Sequence, residues 1–473
     1  MKKREENLIK NAIVLAFGTF FPKFASFVSL PILTACLTHE EYGTYDLVVV
    51  LVSLFLPIVT LQIHTAAFRF LIDCRDSGHE KERVITSIFA FIIPVSLTAL
   101  VVLFLVLHDY SYTVRFLICT YFFFDVMANS LRQIARGLSL NAVFSVSASI
   151  SAFGQILFVL VFVLWLKKGL VGCMAALIAS EVLSTVFLML RAGIYKYIKV
   201  SSVDGAEIKR LLAYSWPMVP NALSMWVMQV SDRLVVSFFL GVASNAIYAV
   251  ANKLPSIMTL AQTSIVQAWQ ENASQTANDK DVGNYYSKTF NTVLGFTAGL
   301  LSMLVSLSPL LFKILVKGNY DAAYSQLPIL FMSMLFFSMA SFLGGIYVAF
   351  YKTKSIGITT VIAAALNLLI DISLIRYIGL YAASLSTLIS YIFLFTYRML
   401  DVKKFVNIAY DFKYIAFVCT VLVLQCIIFW VNILPLNIAN FAIGIGFSLM
   451  WNRTLVKSLY NKLKKTLKGK CPN

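Results

Sequence analysis

Four side chains fall at helical spacing inside an otherwise apolar run: Asp125, Asn129, Arg132 and Arg136, in steps of 4, 3 and 4. Such steps place all four on one face of a helix. A carboxylate and two guanidinium groups so arranged can hold an anion, with each arginine forking onto a phosphate, or can pair with one another. Other charges interrupt apolar stretches: Lys23 directly after Pro22, Glu181, the adjacent pair Asp232–Arg233, Lys253 and Asp371, with Arg69 nearer a span end. Each costs at least about 2.5–3.5 kcal/mol at the centre of a membrane helix, so each is expected to face a cavity or a partner rather than lipid. Gln62, Gln155, Gln229, Gln262 and Gln267 add neutral hydrogen-bonding capacity.

A structural account stands beside the functional one for most of these groups. Arg136, at the end of its span, fits a side chain snorkelling to the headgroups, and Arg132 is open to either role. Pro22 frees a carbonyl and kinks its helix; Lys23 beside it either lines a cavity or is neutralised by a neighbour such as Asp125. Asp232 and Arg233 are adjacent and cannot point the same way, so at least one faces the interior. Glu181 fits a proton or cation site and equally a protonated helix–helix hydrogen bond.

None of this makes or breaks covalent bonds. There is no phosphate-binding glycine loop, metalloprotease helix or serine elbow. The four histidines lack metal-ligand spacing, and the seven cysteines are scattered without a metal or disulfide pattern. The expectation is binding and movement, with no enzyme activity, no metal and no organic cofactor.

The elements that must position these groups are membrane helices. Of 473 residues 59% are hydrophobic and 13% charged, roughly half the charged share of an ordinary soluble domain, and the mean hydropathy is +0.82. Apolar windows give fourteen candidate spans. The first six lie near 10–35, 42–68, 84–107, 113–135, 141–166 and 169–191, and the next six near 212–240, 245–269, 287–312, 322–350, 355–376 and 379–399. Two more follow near 413–431 and 434–452. The first window is too long for a signal-peptide core and lacks a small-residue cleavage site, so it reads as a retained span. The net charge of +17 argues for basic cytoplasmic loops rather than nucleic acid. With an even span count, both termini fall on the cytoplasmic side, along with Arg75, Lys81, Arg83, Arg191, Lys196, Lys199, Lys352, Lys354, Arg398 and the basic tail from Arg453 to Lys470. Twelve spans is the fallback count.

The second half echoes the first. Glu40–Pro57 lies beside Ala243–Leu260, pairing Tyr45 with Tyr248, and Lys167–Ser184 lies beside Tyr377–Leu394, pairing Ser180 with Ser390. Six spans per half is even, so the repeats are parallel. The expected architecture is an all-α polytopic membrane protein with two pseudo-symmetric six-helix lobes around a central cavity. The lobes run over 1–205 and 206–400, and 401–473 carries two further helices and the tail. The small-residue pairs Gly344–Gly345 and Ala382–Ala383 read as packing sites.

Three segments, Leu30–Val48, Leu211–Gly241 and Ala246–Ile257, resemble the Wzx-type oligosaccharide flippases of the multidrug/oligosaccharidyl-lipid/polysaccharide (MOP, MATE-like) exporter superfamily. Loop order and length extend the resemblance over nearly the whole chain. It implies a protein of the bacterial inner membrane that moves undecaprenyl-diphosphate-linked repeat units by alternating access, for capsule, O-antigen or exopolysaccharide. Lys23, Arg132, Arg233 and Lys253 would then hold the diphosphate and sugar, with Arg69 near the inner gate and Asp125, Gln229 and Asp232 also in the cavity. A proton or sodium gradient would couple through Asp125, Glu181, Asp232 or Asp371. The implied partners are the lipid-linked oligosaccharide, membrane lipids, a polysaccharide polymerase and a chain-length regulator. The rival readings are a cation-coupled drug exporter of the same superfamily and, further off, a membrane-embedded polymerase.

Overall fold

Hydrocarbon offers no water to peptide groups, so apolar runs of about 20 residues satisfy their backbone internally as helices. The computed structural model describes residues 2–74 and 77–451, and every long regular element among them is helical. In chain order they are α1 (Lys2–Cys36), α2 (His39–Thr60), α3 (Ile63–Asp73), α4 (Gly78–Val106), α5 (Tyr112–Gly137), α6 (Asn141–Val159) and α7 (Gly169–Arg191). Then come α8 (Gly205–Ser215), α9 (Val219–Leu240), α10 (Val242–Lys253), α11 (Ile257–Thr276) and α12 (Val282–Leu315). The last five are α13 (Asp321–Ala349), α14 (Thr353–Ile378), α15 (Leu380–Val402), α16 (Phe412–Val431) and α17 (Leu434–Trp451). The expected basic tail from Arg453 to Lys470, and Arg75, lie outside the described residues.

Eleven described segments are long and apolar enough to cross a membrane, and Phe20–Cys36, Ile63–Ile72 and Leu434–Met450 are shorter apolar stretches. The protein is therefore a multi-pass, all-α membrane protein. Two expected spans are interrupted. The window at 42–68 stops being α2 at Leu61 and Gln62, whose φ of 45° and 58° put two successive side-chain-bearing residues in the left-handed region. The window at 245–269 divides between α10 and α11 at residues 254–256 and is absent from the eleven.

The chain forms two compact units, Met1–Ala246 with Leu315–Gly318, and Ile247–Ile314 with Asn319–Asn473. The first unit thus contains α8 and α9, which lie beyond the repeat boundary expected at 205/206. Its apolar core gathers Val48, Ile63, Ile85, Phe122, Val126 and Leu188 from successive helices. The long polar connection after α7 is tied to α4: Thr86 Oγ1 donates to the Tyr197 carbonyl at 2.9 Å and accepts from the Lys199 N–H at 3.1 Å. Arg83 bridges to Glu207 at 2.7 Å and Asp204 at 3.3 Å, fixing the start of α8.

One carboxylate organises the opposite end of the first unit. Glu41 closes a reciprocal capping box with Thr38 at the start of α2. Its other oxygen accepts the Leu170 N–H at 3.2 Å, so it serves α7 as well. In the second unit, Gly345 of α13 leaves room for Trp269 of α11, whose indole donates to the Phe342 carbonyl at 2.9 Å and stacks on the Phe342 ring at 4.4 Å. A Cβ on Gly345 would lie 2.6 Å from the indole, which accounts for the small residue there.

Candidate functional site

Helix α2 and helix α9 carry one polar pairing site in the first unit. Arg233 Nη1 donates to Asp46 Oδ1 at 2.8 Å, and both side chains are largely withdrawn from solvent. Asn245, at the start of α10, donates to Asp46 Oδ2 at 3.3 Å and to the Gly43 carbonyl at 3.2 Å. Gly43 is required for this approach, since a Cβ there would lie 1.9 Å from the Val242 carbonyl oxygen. Seven residues along each helix, Trp226 Nε1 donates to Ser53 Oγ at 2.9 Å. Lys23 of α1 lies within electrostatic range of Arg233. Arg233 thus pairs with a carboxylate on α2 and stands near a second basic side chain on α1.

A second cluster joins α5, α6 and α7. Arg132 Nη2 donates to Glu181 Oε2 at 2.6 Å and to Ser184 Oγ at 3.4 Å, while Ser151 donates to the other Glu181 oxygen at 2.8 Å. The Arg132 and Glu181 side chains are 15% and 13% exposed, so this pair is mostly dry. Asp125 has both Glu181 and Arg132 as charged neighbours, and Asn129 donates to the Asp125 carbonyl at 2.9 Å. The helical stripe seen in the sequence is thus real for Asp125, Asn129 and Arg132, and the charge balance is two acids to one base. Nearby, Gln155 donates to the Tyr45 hydroxyl at 3.1 Å.

The remaining expected residues are dispersed. Arg136 lies over the Phe68 ring at 4.7 Å and the Phe144 ring at 5.5 Å, so its cation is held by aromatic faces. Arg69 on α3 and Gln229 on α9 are exposed, and Asp232 is buried on another side of α9 from Arg233. Lys253 belongs to the second unit, at the end of α10. Asp371 is wholly buried on α14, one turn from Asn367, whose amide donates to Ser386 at 3.3 Å.

Two residues escaped the sequence reading. Asp46 sits inside the expected second span yet was absent from the membrane-embedded charges, although a count of ionisable groups within 42–68 includes it. Arg398, expected among the cytoplasmic loop cations, is 5% exposed in the second unit. It donates to Thr359 Oγ1 at 3.2 Å, Thr360 Oγ1 at 3.0 Å and the Ala340 carbonyl at 2.9 Å, tying α13, α14 and α15 together. Its position near the end of α15 made it look like a loop residue. Among the described residues no group of three or more His, Cys, Asp or Glu could hold a metal ion.

The fold is shared with transporters of the MOP superfamily. A structure of the lipid II flippase MurJ in an inward closed conformation superposes with a TM-score of 0.70 at 18% identity, covering 95% of this chain and 100% of that one. A multidrug resistance MATE family transporter of the MOP superfamily, inward-facing, gives 0.67 at 12% identity over 83% of this chain and 98% of that one. An outward-facing MATE structure gives 0.59 at 13% identity, over 84% and 95%. No curated protein matches the chain. The family model described as polysaccharide biosynthesis protein matches residues 8–270, more than half of the sequence, in agreement with the resemblance carried by Leu30–Val48 and Leu211–Gly241. The chain belongs to the polysaccharide biosynthesis protein family.

Proposed function

We propose that this protein is a flippase that moves undecaprenyl-diphosphate-linked oligosaccharide from the cytoplasmic to the outer leaflet of the bacterial inner membrane, supplying capsule, O-antigen or exopolysaccharide synthesis. The observation that carries the reading is the meeting of two basic side chains, Lys23 of α1 and Arg233 of α9, inside the first unit. Arg233 is anchored to Asp46 of α2, which fixes its guanidinium in an apolar unit within electrostatic range of Lys23. Such a site suits a diphosphate, which in low dielectric gains far more from a fixed cation than it would in water. Family membership supports the glycan part of the substrate.

The α5–α7 cluster holds more acids than bases. Asp125 and Glu181 stand against a single base, Arg132, so the cluster offers carboxylate oxygens that a proton or sodium ion can bind. That supports reading it as a coupling site, on helices other than those proposed for the diphosphate. Asp232 and Asp371 remain candidates for the same role.

The test is the leaflet position of lipid-linked oligosaccharide, read with a membrane-impermeant sugar-modifying reagent in cells with and without the protein. Repeat units trapped inside in its absence and exposed on restoring it are expected. An unchanged distribution would move the function to export of another solute. Short units accumulating outside would point to a polymerase.

A further inference from the structure

Three helices of the second unit each bring one polar side chain to the same small cavity. Gln262 of α11, Thr297 of α12 and Ser338 of α13 line it, and all three are buried, at 9%, 3% and 5% exposure. The rest of the wall is apolar, with Met258 and Phe342 among its side chains. Gln262 Nε2 donates to Ser341 Oγ at 2.8 Å, which occupies one end of the amide. The other end is unmet. Gln262 Oε1 and Ser338 Oγ are both sealed from solvent and have no hydrogen-bond partner among the described residues. Turning the amide over would strand its NH2 group instead, so an unmet atom remains in either orientation.

Buried polar atoms in folded proteins nearly always have a partner, and inside a membrane no passing solvent supplies one. Two unmet atoms on one cavity therefore call for something that binds both. Size narrows the choice. The cavity measures about 10 Å³, about the least space that admits a single water and too little for an organic solute. Charge narrows it further. No residue lining the cavity is ionisable, so a cation would give up its hydration shell with no carboxylate in exchange. A water meets both demands. It can donate to Gln262 Oε1, share a second bond with the Ser338 hydroxyl and reach Thr297 Oγ1 for a third, and buried waters typically make about three such bonds.

We infer that this cavity is a binding site for one water molecule, which joins α11, α12 and α13 through Gln262, Thr297 and Ser338. Seven residues beyond Gln262 the contact is of another kind: Trp269 stacks directly on Phe342, and Phe342 also lines the cavity. Helix α11 is thus held by a wet joint shortly after the break at residues 254–256 and by a dry one two turns on. A water re-forms its bonds as the groups around it shift, whereas close-packed side chains do not. The end of α11 next to the break is therefore the adjustable one. The site stands whatever solute the protein moves.

X-ray radiolytic footprinting of the purified full-length protein is the test, because hydroxyl radicals formed from a bound water label the side chain beside it without entering from outside. Met258 lines the cavity at 2% exposure. Met218, 41% exposed, and Met174, wholly buried in the first unit, are the internal references. Hydrogen peroxide in a parallel reaction reports which methionines bulk reagent reaches. Met218 is expected to oxidise in both reactions and Met174 in neither. Met258 should oxidise by radiolysis alone, about tenfold or more faster than Met174, as an ordered water beside it requires. Gln262→Leu combined with Ser338→Ala removes both unmet atoms, and in that variant, with its elution on size exclusion unchanged, the Met258 rate should fall to that of Met174. The wild-type pattern decides without the variant. Met258 silent in radiolysis means a dry cavity, Met258 oxidised by peroxide means an opening to bulk solvent, and either overturns the inference. Undiminished labelling in the folded double variant overturns it as well, since the polar atoms would then not hold the water.

Discussion

The pairing of Asp46 with Arg233 makes two separable statements about one residue. Removing Arg233 leaves a carboxylate more than nine-tenths buried without its ion-pair partner and with Asn245 as a hydrogen-bond donor, and breaking such a pair costs up to about 3 kcal/mol, the low end of the range for buried ions. Arg233→Gln should therefore lower the unfolding temperature of the detergent-solubilised protein, and Asp46→Asn in the same molecule should restore most of it. If Arg233 holds the diphosphate as proposed, flipping should not return in the double variant, because that cation is still missing. Recovery of flipping along with stability would show that Arg233 is structural only. Arg398 gives the opposite case. Its three bonds diverge to three helices, a pattern a guanidinium fork can make and an ammonium cannot. Arg398→Lys is expected to cost at least about 1.5–3 kcal/mol, read as early unfolding in a thermal melt. The sequence shows an arginine near a span end in both Arg136 and Arg398, and periodicity alone does not say that one lies over two phenyl rings and the other is sealed inside. What decides is the neighbouring helices, which a one-dimensional reading does not contain.

At the scale of elements, hydropathy located the helices well because the bilayer imposes a length and an apolarity that any window can count. It did not see where a helix stops being straight. The left-handed residues Leu61 and Gln62 are ordinary apolar and polar letters, and no glycine or proline marks the break there. The division of α10 from α11 does carry a sign, Pro255, which by itself is also compatible with a continuous helix, as Pro22, Pro57 and Pro94 show. Close packing is testable at the same scale. Gly345→Ala brings a methyl group 2.6 Å from the Trp269 indole, an overpacking expected to cost about 1–3 kcal/mol. Trp269→Leu alone should also destabilise, by opening a cavity and losing the bond to Phe342, and the double variant should fall short of the sum of the two. Additive losses in the unfolding temperature would mean that the two residues do not share this contact. Gly43→Ala is the harsher change, since its methyl group meets a backbone oxygen of Val242 that has no rotamer to escape into. Little monodisperse protein is expected from it.

For the whole molecule, the candidate site was legible in its parts and illegible in its grouping. Lys23, Asp125, Arg132, Glu181 and Arg233 stood out as charges in apolar runs. That they sort into one group on α1, α2 and α9 and another on α5, α6 and α7 depends on which helices touch. The sorting has a consequence for energetics. If the α5–α7 acids couple transport to an ion gradient, then Glu181→Gln, which retains the Ser151 bond and removes one of the two carboxylates, should slow gradient-driven flipping about tenfold or more. Downhill exchange of substrate between leaflets should be spared, and proteoliposomes with and without an imposed gradient separate the two. Equal loss in both assays would make Glu181 a packing residue. Reporter fusions at each end give an independent check on orientation, with both termini expected in the cytoplasm.

The two polar contacts between α2 and α9 also fix how those helices are aligned. Asp46 and Ser53 are seven residues apart on one helix, and Arg233 and Trp226 are seven apart on the other in reverse order, so the pair runs antiparallel with a spacing of about 10 Å. One turn to either side of Asp46, α2 offers Tyr42 and Val49 or Val50, none of which carries a carboxylate. A slip of the helices by a single turn would leave Arg233 without an anion and Trp226 without its hydroxyl at the same moment. The two contacts thus act like the notches of a key: as the chain inserts into the membrane, one alignment of α2 with α9 closes both, and every misaligned one is rejected twice.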